Sequence, residues 1–201
     1  FVDLMINDLG LSIIRTELAG NFEHNNDNND PFLTDLNAFN FDTHYGLYEE
    51  QSQYRPWINY VKDLKSEANM AGQQLKVLMS VWSPPIWMKY VESYASTDIT
   101  WNRLSNGVGP VPGIVGAKED MRAELAEYIY AFTQVFNQEA GFEIDAVSFQ
   151  NEPAFAQGYP SCVYSDAQYR DALRFIGQRL ASEGVNVDLF GQEDVSVYER
   201  I

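Results

Sequence analysis

The segment Ser148–Pro153 (SFQNEP) contains the residues whose types and order point most directly to chemistry. Glu152 follows a short apolar run, with the amide side chain of Asn151 before it and Pro153 after it. A proline disfavours helical backbone at the preceding residue, so Glu152 is predicted to be extended, with its side chain held in one direction. A carboxyl group held in this way can act as a general acid or base. A glutamate that caps the next helix or faces solvent is the alternative.

A second segment, residues 81–89 (VWSPPIWMK), also follows an apolar run. Its two consecutive prolines stiffen the chain, and Trp82 offers a flat apolar face with one hydrogen-bond donor. Sugars present apolar C–H faces ringed by hydroxyl groups, so an aromatic platform beside a carboxylate suits them. Trp82 and Trp87 are therefore candidates for sugar contact, and burial in the core is the alternative for each.

Arg15 is the one charged residue within residues 11–16 (LSIIRT), which are otherwise largely apolar. An arginine in such a run requires a carboxylate partner, because an unpaired charge is costly away from water. The partner could be a catalytic carboxylate or a purely structural one, and the residue pattern leaves both open.

The elements that must position these residues follow from hydrophobic patterning. Short apolar runs predict four buried strands, at residues 11–16, 75–81, 144–149 and 187–190. Helical spacing and capping residues predict helices over 1–8, from Pro56 onwards, over 118–140 ending at Gly141, and from a Ser165 cap to Gly184. The alternation predicts an α/β fold with a parallel sheet and right-handed crossovers. The two longest loops, residues 19–55 and 89–117, follow strands at the end where such folds keep functional residues.

The composition excludes several classes of function. The 201 residues carry 13 Lys plus Arg against 29 Asp plus Glu, and the net charge of −16 repels nucleic acids and anionic membrane surfaces. The chain has no apolar run long enough to span a membrane. We predict no cofactor and no metal. Residues 25–30 (NNDNND) are interpreted as a solvated loop and not as a metal site, because they lack the glycine and distal glutamate of a calcium loop. A doubly wound nucleotide-binding protein is the least favoured class, because no glycine-rich phosphate-binding turn follows a predicted strand.

Taken together, Arg15, the WSPPIWMK segment and the SFQNEP segment resemble glycoside hydrolase family 30, a family of clan A retaining glycosidases. The family includes glucocerebrosidases, xylanases and β-1,6-glucanases and galactanases. Asn-Glu-Pro marks the clan, whereas the WSPP-x-WMK pattern is more specific to the family, and the similarity continues through residues 158–162 (GYPSC). The resemblance implies a (β/α)8 TIM barrel of which this chain covers about strands two to five. Residues 1–201 are then expected to be part of a single catalytic domain, truncated at both ends.

The same resemblance implies roles for individual residues. Glu152 corresponds to the family's acid/base glutamate and Asn151 to the asparagine that hydrogen-bonds the sugar 2-hydroxyl. Trp82 matches the tryptophan that contacts the sugar, and Arg15 matches the arginine that positions the nucleophile. The nucleophile itself is expected on strand seven, beyond the strands that this chain covers. Glu193 is not expected to replace it, because it lies one β/α unit after Glu152 instead of three; Glu193 could line the cleft or pair with a cation.

The chain departs from the family pattern in the loop after its first strand. Many members have an aspartate followed by an aromatic residue there, to bind the sugar, whereas residues 21–24 read NFEH in this chain. Glu23 or His24 is the candidate to replace that aspartate as a sugar-binding residue.

The resemblance implies a glycoside hydrolase that cleaves the O-glycosidic bonds of an oligo- or polysaccharide by a retaining double displacement. The alternatives are a non-catalytic carbohydrate-binding protein on the same barrel and another clan A polysaccharide hydrolase. Half a barrel with open sheet edges and no nucleophile is expected to be inactive by itself. A polymeric substrate favours a secreted or periplasmic location. The sequence leaves open which glycan is cleaved, whether attack is endo or exo, and the oligomeric state.

Overall fold

The computed structural model describes residues 1–18, 20–41, 54–107, 119–191 and 193. Its strands are β1 (Ile13–Leu18), β2 (Lys76–Val81), β3 (Ala146–Ser148) and β4 (Asp188–Leu189). Its longer helices are α1 (Tyr54–Met70), α2 (Arg122–Ala140) and α3 (Asp166–Ser182). The four strands form one parallel sheet in the order β1-β2-β3-β4, and a helix lies between each strand and the next in sequence. The predicted α/β class with a parallel sheet is therefore confirmed.

Four short helical segments also lie within the described ranges: Leu4–Asp8, Gly20–Phe22, Leu36–Ala38 and Ile86–Met88. The first is a π-helical turn, in agreement with the helix predicted over residues 1–8. The next two belong to the long loop after β1, and the last lies in the loop after β2. Within the described ranges, no helix is both long and apolar enough to cross a membrane.

The element boundaries differ from the predicted ones by a few residues, for physical reasons. β1 ends at Leu18, two residues beyond the prediction, because its pairing with β2 continues to the Leu18–Val81 pair. α1 begins at Tyr54, ahead of Pro56, which is tolerated because backbone N–H groups in the first turn have no intrahelical partner. α2 begins at Arg122; the predicted start of this helix, at residue 118, lies outside the described residues.

The predicted helix caps are present in the structure. The Ser165 hydroxyl accepts a hydrogen bond from the Gln168 backbone amide at 3.3 Å, and the Gln168 side chain accepts one from the Ser165 amide at 3.0 Å. This reciprocal capping box fixes where α3 begins. Gly141 ends α2 with a φ of 79°, a left-handed conformation that favours glycine.

The core lies between the sheet and the helices α1, α2 and α3, and it also fixes the loop after β1. The ring of Phe22, at the end of a turn in that loop, is fully buried and contacts the rings of Tyr128 and Phe132 on α2 at centroid distances of 5.8 and 6.0 Å. The register pairs Leu18 with Val81 and Ser80 with Ser148, so β1, β2 and β3 end side by side. Residues that follow these strands are therefore brought together at one edge of the sheet.

Candidate active site at the carboxyl ends of the strands

Three of the predicted site residues are in direct contact near the edge of the sheet where β1, β2 and β3 end. The Arg15 guanidinium donates a hydrogen bond to Asn151 Oδ1 at 2.7 Å, and its central carbon lies 4.7 Å from the centre of the Trp82 ring. Glu152 is the next residue after Asn151, and its backbone amide donates to the carbonyl of Glu193 at 3.3 Å. The structure therefore brings Arg15, which lies within β1, together with residues that follow β2 and β3, near the edge where these parallel strands end.

The carboxylate that pairs with Arg15 is Glu193. Arg15 Nε lies 2.6 Å from Glu193 Oε1, and the other carboxylate oxygen accepts a hydrogen bond from the Ser80 hydroxyl at 2.7 Å. Ser80 also accepts a hydrogen bond from Arg15 Nε at 3.1 Å. Of the two roles that the sequence left open for Glu193, the structure therefore supports the pairing with a cation. Ser80 is a member of this group that sequence reasoning missed, because an inward-facing serine within a strand carries no distinctive pattern.

The backbone at Glu152 corrects one prediction. Glu152 has a φ of 46°, in the left-handed region, so the extended conformation predicted from Pro153 is wrong. Neighbouring hydrogen bonds override the preference set by the proline. The Asn151 amide donates to the Val81 carbonyl at 2.6 Å, and the Glu152 carbonyl accepts from the Phe155 amide at 3.0 Å in a tight turn. Such a conformation costs about 1–3 kcal/mol for a residue other than glycine, and strain of this kind clusters at functional sites.

Tyr159 holds the carboxyl group of Glu152. Its hydroxyl donates a hydrogen bond to Glu152 Oε2 at 2.5 Å. This hydrogen bond, with burial and the carboxylate charge, raises the pKa of Tyr159 to about 12, so the phenol keeps its proton. The sequence placed Tyr159 only within the GYPSC stretch of the family resemblance and gave it no role. The contact depends on how the loop after β3 folds back, which residue spacing does not reveal.

The two tryptophans of the second segment occupy different environments. The Trp82 amide donates to the Leu18 carbonyl at 3.3 Å, and its own carbonyl accepts from the buried Gln150 side chain at 2.8 Å. Its ring is half-buried beside Arg15, which leaves it partly accessible at the edge of the sheet. The Trp87 ring packs against the hydrophobic core, and its indole N–H donates to the Glu23 carbonyl at 3.4 Å. Trp87 therefore matches the core alternative more closely than Trp82 does.

The structure does not bring Glu23 into the group around Arg15. The Glu23 side chain is 1% exposed, and its carboxyl group accepts a hydrogen bond from the Asp27 amide at 3.3 Å. Burial, reinforced by the nearby carboxyl groups of Asp27, Glu127 and Glu124, raises the pKa of Glu23 to about 9, although the Asp27 amide opposes this. His24, the other candidate at this position, is exposed.

Glu124 and Glu127 come from the buried face of α2. Burial, and then the neighbouring Glu127, raise the pKa of Glu124 to about 7. Burial also raises the pKa of Glu127. We call Glu23, Asp27, Glu124 and Glu127 the buried acidic cluster. Despite this crowding, no group of three or more histidine, cysteine or acidic residues in the described part of the chain has a geometry that could hold a metal ion.

Comparison with known proteins gives three informative relatives. The chain is 25% identical over 202 residues to an endo-1,6-β-D-glucanase of Aspergillus fumigatus, and the match covers 98% of this chain and 37% of that protein. Its fold is similar to the catalytic domain of a glycoside hydrolase family 30 xylanase C from Talaromyces cellulolyticus, with a TM-score of 0.69, 17% identity, and coverage of 98% and 41%. It is also similar to a solved endo-β1,6-glucanase, with a TM-score of 0.66, 17% identity, and coverage of 96% and 39%.

No family model matches the chain. The chain spans well under half the length of each of these three relatives, which agrees with the prediction of a partial barrel. The fold class and the resemblance to glycoside hydrolase family 30 are thereby confirmed.

Proposed function

We propose that this chain is part of a retaining glycoside hydrolase, with Glu152 as its acid/base residue. One observation carries the proposal: the contact of Arg15 with both Asn151 and Trp82, directly beside Glu152, at the carboxyl ends of the strands. Glu152 would supply one of the two carboxyl groups that a glycosidase needs, and an amide and an aromatic face beside it suit the binding of a sugar. We further propose that residues 1–201 belong to a single, longer catalytic domain, because the relatives are more than twice as long.

A retaining mechanism requires a second carboxylate about 5–5.5 Å from the first, which attacks the anomeric carbon. We assign that nucleophile to a residue outside this chain. Glu152 first donates a proton to the departing oxygen and then removes one from the water that hydrolyses the glycosyl-enzyme. Because Asn151 Oδ1 accepts from Arg15, the Asn151 amide nitrogen is left to donate to the sugar 2-hydroxyl. The ring of Trp82 supports the sugar in the adjacent position.

For the substrate we propose a β-1,6-linked glucan cleaved in endo fashion. The support is that two of the three relatives, one found by sequence and one by structure, are endo-1,6-β-glucanases by name. The xylanase among them makes xylan the second candidate. Because a polysaccharide is too large to enter a cell intact, we propose that the protein is secreted or periplasmic.

The test is Glu152→Gln in the full-length protein that contains this chain. Hydrolysis of β-1,6-glucan should fall by about 10³-fold or more, because the leaving alcohol then departs without a proton. An activated aryl glycoside needs no such proton, so its covalent intermediate should still form, and azide should partly restore its turnover. Glu143→Gln, which changes an exposed glutamate on the loop before β3, is the matched control and should keep full activity.

Full activity of Glu152→Gln on the glucan would show that Glu152 is not the acid/base residue. A wild-type protein that binds glucan without cleaving it would instead favour the alternative of a non-catalytic carbohydrate-binding barrel.

A further inference from the structure

Lys89 is a fully buried lysine beside the candidate site, with 0% of its surface exposed. Its ammonium group donates to the Ser83 hydroxyl at 3.2 Å and to the carbonyls of Ser93, Tyr94 and Ser161 at 2.7, 3.1 and 2.9 Å. All four acceptors are neutral. An ammonium group has three protons, so the acceptors more than satisfy it, and the charge is stabilised by dipoles in place of a carboxylate.

These four acceptors come from two different loops. Ser83, Ser93 and Tyr94 belong to the loop after β2, and Ser161 belongs to the loop after β3. The backbones of the two loops also pair, since the Ser161 amide donates to the Tyr94 carbonyl at 3.0 Å and Ala95 forms an antiparallel bridge with Pro160. Lys89 therefore lies at the junction where the two loops meet.

Each loop carries one part of the candidate site. Ser83 directly follows Trp82, the proposed sugar platform. Ser161 lies two residues after Tyr159, whose hydroxyl holds the carboxyl group of Glu152. The hydrogen bonds of Lys89 thus connect the backbone next to the platform with the backbone next to the partner of Glu152.

We propose that Lys89 is a positioning residue of the hydrolase, which sets the geometry between the Trp82 ring and the Tyr159–Glu152 hydrogen bond by tying together the loops after β2 and β3. This inference rests on the proposed function and deepens it. Lys89 touches neither the sugar nor the reacting atoms, and it acts through the loops.

The charge of Lys89 is part of this role. Burial lowers the pKa of Lys89 to about 8, against a smaller opposing effect of Cys162, so the amine remains protonated at neutral pH and keeps three donors. A methionine has a similar shape and length but no donor, and it would leave the Ser161 carbonyl without this partner. The loop after β3 would then no longer be fixed at that point.

The test is Lys89→Met in the full-length protein, assayed at pH 7 on two substrates. Turnover of β-1,6-glucan should fall by about 30-fold, since small displacements of catalytic groups cost up to about 100-fold. Formation of the covalent glycosyl-enzyme from an activated aryl glycoside, followed as the burst of released phenol, should slow by less than about threefold, because that step does not need the proton that Glu152 and Tyr159 control. Lys65→Met is the matched control, since Lys65 donates to the Leu75 carbonyl at 2.6 Å near the start of β2; it should leave both rates unchanged.

A double-mutant cycle with Tyr159→Phe separates positioning from a general structural role. If Lys89 acts through Tyr159, the double variant should be no slower on glucan than the slower single variant. The inference is overturned if the losses of the two single variants on glucan multiply in the double variant. It is also overturned if Lys89→Met causes an equal loss on both substrates. If Lys89→Met does not fold, Ser83→Ala is the second variant, because it removes one of the four acceptors of Lys89. It should slow glucan turnover by about threefold and affect the aryl glycoside less. An equal loss on both substrates would again overturn the inference about Lys89.

The outcomes also distinguish this inference from the proposed function. If Glu152→Gln keeps full activity, the proposed function fails. If Glu152→Gln is inactive on glucan and Lys89→Met slows both substrates alike, the inference about Lys89 fails by itself.

Discussion

The group around Arg15 and the buried acidic cluster both bring ionisable side chains together, but they differ in how charge is compensated. In the first group, Arg15 pairs with Glu193 at 2.6 Å, and Ser80 and Asn151 accept further hydrogen bonds from it. The guanidinium nitrogens that take part in these contacts all donate to oxygen atoms. The charges of this group are therefore compatible with partial burial at neutral pH.

In the buried acidic cluster, carboxyl groups face one another. Glu23 is almost fully buried near Asp27, Glu124 and Glu127, and the positive charge of Arg179 acts on Glu127. Burial raises the pKa of Glu23 to about 9, so its carboxyl group binds a proton in the folded protein at pH 7. The comparison shows that ionisable side chains are stabilised in two ways: the charges around Arg15 are paired, whereas the buried carboxyl group of Glu23 is neutralised by a proton.

The largest expected effect comes from breaking the paired group with Arg15→Lys. An ammonium group cannot reach Asn151, Ser80 and Glu193 with the geometry of a guanidinium, so Asn151 loses its orientation. We expect kcat/KM on β-1,6-glucan to fall by about 100-fold. Stability should change by less than about 1 kcal/mol, because the Arg15 side chain is 37% exposed.

Steady-state kinetics and denaturant unfolding of the full-length protein measure these two quantities. Arg170→Lys, which changes an arginine on α3 that is 75% exposed, is the matched control and should alter neither. Unchanged activity of Arg15→Lys would mean that the paired group is purely structural.

The next prediction concerns Glu23 in the buried acidic cluster. Burial raises the pKa of Glu23 in the folded protein to about 9, above the ordinary glutamate value of 4.5, so the folded state binds the extra proton between these pH values. The stability contributed by this proton is present below pH 4.5 and is lost as pH rises towards 9. Glu23→Gln keeps the acceptor for the Asp27 amide and needs no proton. At pH 7 we expect it to raise the free energy of unfolding by up to about 3 kcal/mol, at 1.36 kcal/mol per pH unit.

Urea unfolding at pH 4 and pH 7 tests this prediction, because the gain should disappear at the lower pH. Glu143→Gln, at an exposed site, should show no such difference. Equal destabilisation by Glu23→Gln at both pH values would contradict the assignment of a protonated, buried carboxyl group.

The same comparison shows what the sequence can predict. The strands and caps were recognisable because apolar runs, Ser165 and Gly141 act locally. Arg15, Trp82 and Asn151 could be grouped because parallel strands bring their carboxyl ends together. The turn at Glu152 was missed because pairing with the neighbouring strand tip overrides the local effect of Pro153.

The parts that could not be predicted depend on contacts between loops. The partner of Arg15 and the acceptors of Lys89 lie in segments separated from them by up to 178 and 72 residues. The hydrogen bond of Tyr159 spans seven residues, but it depends on how the irregular loop after β3 folds back. Glu23 was a reasonable candidate for sugar binding from its position after β1. Only the packing of Phe22 against α2 shows that this segment turns inward and buries the carboxyl group.

The smallest expected effect comes from making the same change, glutamate to glutamine, in the group around Arg15. This gives the most direct comparison of the two regions. Glu193→Gln removes the charge that faces Arg15 but keeps an oxygen that can accept from Ser80. At pH 7 we expect the free energy of unfolding to fall by about 1 kcal/mol, the usual size for a partly exposed ion pair. The sign is opposite to that of Glu23→Gln.

Salt should affect the two variants differently. In about 1 M salt the loss of stability caused by Glu193→Gln should shrink, since the screening length falls to about 3 Å. The gain of stability from Glu23→Gln should persist, because it does not depend on a solvent-screened pair. Denaturant unfolding of both variants at low and high salt measures this contrast, and a stabilising Glu193→Gln would show that the charge of Glu193 is not compensated by Arg15.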